Sequence, residues 1–119
     1  MQIQVHTDNI IQGGDSLAKW VQSELITRLA RFNEHVTRVE VFLSDTDARK
    51  VQGSLKRCVL ETRVHGRQPI AVNAEAEKMA EAVNAATEKL LRALDHDLGR
   101  LKDKNGRETI RTQELPDEV

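Results

Sequence analysis

At 119 residues, with 39% hydrophobic and 31% charged side chains, the chain has the make-up of one soluble globular domain that buries a core without a disulfide or metal staple. A net charge of −1 argues against a protein held to nucleic acid by bulk charge, and three aromatics (Trp20, Phe32, Phe42) argue against a base-stacking platform. No apolar run reaches the roughly 18 residues of a membrane span, the N-terminus has neither basic leader nor apolar signal core, and Cys58 stands alone, so a cytoplasmic protein is expected.

Residues 2–7 alternate polar and apolar, the period of a half-buried strand. Gly13-Gly14 break the chain, and Asp15 or Ser16 can cap a helix over about 16–34 that buries Leu17, Val21, Leu25, Leu29 and Phe32, with Trp20 beside them. Val36 to Ser44 alternates again, with Val39, Val41 and Leu43 on one face and Arg38, Glu40 and Phe42 on the other. Residues 45–54 form a polar connection. A third strand over 55–64 turns Cys58, Leu60, Thr62 and Val64 inward and Arg57, Val59, Glu61 and Arg63 outward. His65 to Gln68 supplies a tight turn, and Pro69 to Asn73 a short fourth strand.

From about Asn73 to Asp103, Met79, Val83, Ala86, Leu90, Leu94, Leu98 and Leu101 recur at helical steps, and Lys89, Arg92, His96 and Arg100 run beside them on one flank. Gly99 costs roughly 1 kcal/mol in a helix interior and predicts an end or fraying there. The fold class is therefore α+β: β-α-β-β-β-α, two helices packed on one face of a four-stranded sheet, with strands two to four a meander and strand one joined across a helical crossover. Residues 1–103 form the single domain; residues 104–119, with mixed charge and Pro116, read as a flexible tail.

Charge is segregated along the chain. Residues 49–67 hold six Lys/Arg against Glu61 alone, whereas 1–48 and 68–99 are each acidic by three. Such a chain can present a basic surface while staying near neutral overall. The candidate anion-binding cations are Arg28 and Arg31 at the end of the first helix, Lys89, Arg92, His96 and Arg100 on the last, and Lys56, Arg57 and Arg63 on the third strand, with Arg38 beside them. Glu40 and Glu61 offer cross-strand neutralisation, and Glu88, Asp95 and Asp97 flank the helical row. No catalytic constellation accompanies them. Cys58 falls at an inward strand position with no His placed near it, and the four histidines lack metal-ligand spacing. Asp45-Thr46-Asp47 lacks the Gly and Glu of a calcium loop, and Gly13-Gly14 carries no phosphate-loop pattern. No cofactor, metal, membrane or small-molecule substrate is called for, and a non-enzymatic binding protein is the expectation.

Three segments carry a family likeness: Arg28-Leu29-Ala30-Arg31-Phe32, Lys78-Met79-Ala80-Glu81-Ala82-Val83-Asn84 and Glu88-Lys89-Leu90-Leu91-Arg92-Ala93-Leu94. Over about residues 1–103 the chain resembles the ribosome hibernation proteins, the family of hibernation promoting factor and ribosome-associated inhibitor A. The resemblance implies a non-enzymatic translation inhibitor that sits in the messenger and transfer RNA channel of the small ribosomal subunit, against 16S rRNA and ribosomal proteins, and silences or protects idle ribosomes. It gives Arg28, Arg31, Lys89, Arg92 and Arg100 an RNA-contact role and His96 a weaker one; Lys102 follows them on the helix, and Lys56, Arg57 and Arg63 are further candidates from the basic third strand. Ala80 stands where the family carries Tyr, Lys78 where it carries an acid, and Asp95 and Asp97 intrude among expected lysines. The near-neutral balance supports the alternative, a regulatory module that binds protein and not RNA.

Overall fold

The computed structural model describes residues 1–7, 14–45 and 55–112, of which 99–112 by backbone alone. The chain order is β1 (Gln2–Thr7), α1 (Gly14–Arg28), a 3-10 turn (Ala30–Phe32), β2 (Val36–Asp45), β3 (Lys56–Val64), β4 (Ile70–Ala76) and α2 (Met79–Thr112). The four strands make one sheet in the order β1-β2-β3-β4. β1 runs parallel to β2 after the α1 crossover, and β2, β3 and β4 form the antiparallel meander expected from their short connections.

One face of the sheet and both helices share a single core. Val39, Val41 and Leu43 of β2 and Cys58, Leu60, Thr62 and Val64 of β3 point into it. Val21 and Leu25 come from α1, Leu29 and Phe32 from the tightened turn after it, and Val83, Ala86, Leu90, Leu94 and Leu98 from α2. Removing such a side chain from water is worth about 1.5–3 kcal/mol, so these residues dominate the stability of the fold. The opposite face of the sheet is left to Gln4, His6, Arg38, Glu40, Phe42, Arg57, Glu61, Arg63 and Asn73.

Val36 and Val39 are both buried, yet two residues lie between them, which strict alternation forbids. The chain resolves this with a β-bulge. Val36 pairs with Val64 and Arg38 with Arg63, so Thr37 is the extra residue, and its Oγ1 donates to the Arg63 carbonyl at 3.3 Å. The bulge keeps both valines in the core and turns Arg38 to the open face. At the opposite ends of the sheet, each outer strand receives a helix side chain on a backbone carbonyl: Gln22 Nε2 donates to Ile3 O in β1 at 3.3 Å, and Lys89 Nζ to Asn73 O in β4 at 2.8 Å.

Three boundaries differ from the sequence reading. The first helix stops at Arg28, and Ala30–Phe32 tightens into a 3-10 turn that hands the chain to β2 through His35 N to Phe32 O. β4 runs on to Ala76, because Val72, Ala74 and Ala76 continue the inward set and pair with Leu60, Cys58 and Lys56; α2 consequently starts at Met79, not Asn73. At its other end α2 passes Gly99 and Asp103 without a break and reaches Thr112. Adding a residue to an existing helix is cheap compared with starting one, and no proline stands between Met79 and Pro116 to stop it. Residues 46–54 of the polar connection expected over 45–54 and residues 113–119 of the tail expected over 104–119 lie outside the described residues, as do the Arg100, Leu101 and Lys102 side chains, whereas residues 104–112 of that tail belong to α2.

Candidate nucleic-acid interface

The packing of α1 beside α2 brings together cations from distant parts of the chain. Arg28, at the last turn of α1, donates through Nη1 to Asn84 Oδ1 at 3.3 Å and lies 3.9 Å from Glu88 Oε2. Glu88 also meets Arg92 one turn on, at 3.5 Å. Arg31 meets Asp95 at 2.8 and 2.9 Å, and its guanidinium lies over the Phe32 ring, 4.5 Å from the centroid. Arg28, Arg31 and Arg92 thus form one exposed cluster along the α1–α2 seam, laced by Glu88 and Asp95.

The α2 row does not stay on that seam. Lys89 turns to the other side of the helix, where it holds the Asn73 carbonyl, and His96 lines an open groove with Arg67, Pro69 and Asp97. In that groove Arg67 grips Asp97 through two bonds of 2.7 Å, fastening the β3–β4 turn to α2. The hydrogen bonds to Asp97 raise the Arg67 pKa above its ordinary value, so the guanidinium stays charged at every working pH. The turn itself depends on Gly66, whose φ of +71° favours glycine. Sequence reasoning reads Arg67 only as part of a turn; its partner stands 30 residues on, and no local pattern announces it.

On the sheet, Lys56 is engaged with Asp45 at 2.8 Å. Arg57 has its Nε closed off with no hydrogen-bond acceptor, and Arg63 is exposed with no ion partner among the described residues. The anticipated neutralisation of the sheet arginines across strands takes a different form: Arg38 is met by Glu40 of its own strand at 3.5 Å and by Gln4 of β1 at 2.7 Å. His6 bonds Glu40 at 3.1 Å and stacks on Phe42 with centroids 4.8 Å apart.

Five cations on the helix side (Arg28, Arg31, Arg67, Lys89 and Arg92) stand beside three paired carboxylates (Glu88, Asp95 and Asp97), and Asp15, Glu24 and Glu81 add acid to the same two helices, so the surface is mixed in charge and its cations are clustered rather than in excess. Exposed ion pairs contribute about 0–1 kcal/mol each, and Arg31 and Asp95 are both more than half exposed. A phosphate can replace such a carboxylate at little cost. Burial pushes the Cys58 thiol up to about 12, which leaves it protonated and inert as a nucleophile. Among the described residues no group of His, Cys, Asp and Glu gathers to hold a metal ion, and no described helix is long and apolar enough to cross a membrane.

Residues 3–102 match the family model described as sigma 54 modulation protein / S30EA ribosomal protein. Among solved structures, the fold is similar to a ribosomal subunit interface protein from Coxiella burnetii, with a TM-score of 0.67 at 14% identity, covering 83% of this chain and 99% of that one. It is also similar to the N-terminal domain of Protein Y from Thermus thermophilus, with a TM-score of 0.55 at 16% identity, covering 80% and 93%. No curated protein matches the sequence.

Proposed function

Because the chain belongs to the sigma 54 modulation protein / S30EA ribosomal protein family, we propose that it is a cytoplasmic, non-enzymatic factor that occupies the messenger and transfer RNA channel of the small ribosomal subunit and silences or protects idle ribosomes. Residues 1–103 form the ribosome-binding unit. Its grip is electrostatic: arginines and lysines on rRNA phosphates fix the protein in a channel where its bulk excludes other RNA.

The observation that carries this reading is the seam cluster, where Arg28 from the end of α1, Arg31 from the 3-10 turn after it and Arg92 from α2 come together on one strip. Lys89 and His96 extend it across α2. Arg100 and Lys102 continue the same helix. Arg57 and Arg63 belong to a separate surface on the sheet, and Lys56 contributes least because Asp45 holds it.

Co-sedimentation with purified small subunits tests the proposal. Binding is expected to fall steeply with salt, and an R28A/R31A/R92A triple variant to flatten that dependence by about 0.7–0.9 in slope for each phosphate left without its cation. Absent or salt-independent co-sedimentation sinks it.

The pairing of Arg31 with Asp95 and of Arg67 with Asp97 favours a second reading, a module that binds protein through a mixed-charge surface. A complex that survives nuclease and contains no ribosomal RNA would select it.

A further inference from the structure

On the open face of the sheet the register sets like charge against like. Arg38 lies opposite Arg63, and Glu40, two residues along the strand, lies opposite Glu61. Like charges directly opposite weaken a sheet, and a different register would have avoided both clashes. The Thr37 bulge fixes this register, since it is what lets Val36 and Val39 both reach the core.

Within the chain the conflict is half relieved. Arg38 Nη2 donates to Gln4 Oε1 at 2.7 Å, and Glu40 accepts from His6. The Arg38 Nε is shut off from solvent and has no hydrogen-bond acceptor among the described residues; Glu40 Oε2, at 3.5 Å, is an ion-pair neighbour without the geometry of a bond. Arg63 and Glu61 have no ion partner among the described residues. Opposite Glu61 on β4 stands Ala71, too small to fill the space. The result is a hollow of about 130 Å³ lined by Arg38, Glu40, Glu61, Arg63, Pro69 and Ala71.

We propose that this hollow receives one nucleotide of single-stranded RNA, its phosphate on Arg38 and Arg63 and the N–H donors of its base on Glu61. The proposal rests on the reading that the chain binds ribosomal RNA, and adds to it a second point of attachment on the face away from the helices. The Arg38/Arg63 and Glu40/Glu61 pairs stand two residues, roughly 6–7 Å of backbone, apart, and the Arg38 and Glu40 head groups close to 3.5 Å, so the hollow offers cation and carboxylate side by side, to a phosphate and to the N–H edge of a base. The hollow admits a flat ring but not a helix, which is about 10 Å across. A carboxylate's two acceptor oxygens match two adjacent N–H donors, so guanine, with its ring imino and exocyclic amino groups side by side, is the favoured base.

The test uses the full chain. GMP, AMP, UMP and inorganic phosphate are titrated while the Nε–H signals of Arg38 and Arg63 are followed by NMR, alongside small-subunit co-sedimentation of the wild type, E61Q and R63A. GMP is expected to shift both signals at about tenfold lower concentration than AMP or UMP. E61Q, at an exposed position that leaves folding intact, abolishes that preference while retaining the phosphate response; R63A weakens every ligand. Equal responses to GMP and phosphate, with E61Q unchanged, overturn the nucleotide hollow. If the wild type still co-sediments with subunits in that case, the channel reading stands alone; a guanine preference in a chain that ignores subunits sustains the hollow and sinks the channel. Retention of subunit binding only through nuclease-resistant protein contacts overturns the hollow as well.

Discussion

Arg31 and Asp95, 64 residues apart in sequence, meet at 2.8 Å across the seam between the two helices. The pair gives the cluster its internal competitor. A phosphate entering there must displace a carboxylate, and the displaced carboxylate then stands beside it as a like charge.

Removing the competitor should therefore strengthen binding. D95N and E88Q are expected each to tighten small-subunit association and to steepen its salt dependence by about 0.7–0.9 in slope, the contribution of one released cation. Stability should barely change, because exposed pairs contribute about 0–1 kcal/mol. Co-sedimentation across a salt series measures this; weaker binding of both variants would mean that the carboxylates orient the arginines and do not compete with RNA.

Thr37 is predicted to be indispensable as a spacer and dispensable as a side chain. Deleting it forces either Val36 or Val39 out of the core, a loss of about 2–3 kcal/mol on the scale of one exposed valine. T37A leaves the spacing intact and forgoes one exposed hydrogen bond to Arg63 O, so it should cost well under about 1 kcal/mol. Urea unfolding of the two variants separates these outcomes, and a deletion variant as stable as T37A would show that the bulge is not required.

Thr62 carries a hydroxyl into the core with no partner among the described residues, although the residue is fully buried. Replacing it with the near-isosteric valine removes an unsatisfied polar group and keeps the volume. T62V should raise unfolding stability by about 1 kcal/mol. A drop in the urea midpoint would indicate that the hydroxyl is satisfied in solution.

Cys58 makes a pH prediction with a definite sign. Its folded-state pKa, raised by desolvation, is about 12, against an ordinary value of 9.0. Below pH 9 the thiol is protonated in both states and contributes no pH dependence. Between about 9 and 12 the unfolded chain ionises and the folded chain does not, so the unfolded state binds fewer protons and stability falls as pH rises, by about 1.4 kcal/mol per unit. C58A should lose this component of the alkaline slope. Native Cys58 should also resist a thiol reagent at about pH 7 until the chain unfolds, and fast labelling of the folded protein would contradict its burial.

How much of this is legible in the sequence follows from the range of each interaction. The inward sets of β2 and β3 and the stripes of both helices are readable, because alternation and the helical period are local properties set by which side chains seek the core. The bulge leaves a trace in the odd spacing of Val36 and Val39, but only a partner strand turns that spacing into geometry. The end of β4 is hidden because Ala74 and Ala76 pack as strand residues while their type suits a helix equally well. Periodicity places the candidate cations on the helices and the third strand, yet it is silent on their partners. Asp95 for Arg31, Asp97 for Arg67 and the Asn73 carbonyl for Lys89 are chosen by packing between distant segments. The row Lys89, Arg92, His96 is continuous on a helical projection, and parts in the folded chain because Arg92 leans toward Glu88 while Lys89 turns toward β4.

Lys89 holds the Asn73 carbonyl on the outermost strand through an ammonium that is also a candidate for rRNA phosphate. An ammonium carries three N–H donors, so it can keep the carbonyl while offering another to a phosphate. Docking on RNA would then tie the rim of the sheet at β4 to the nucleic acid through a single side chain, with no movement of the core.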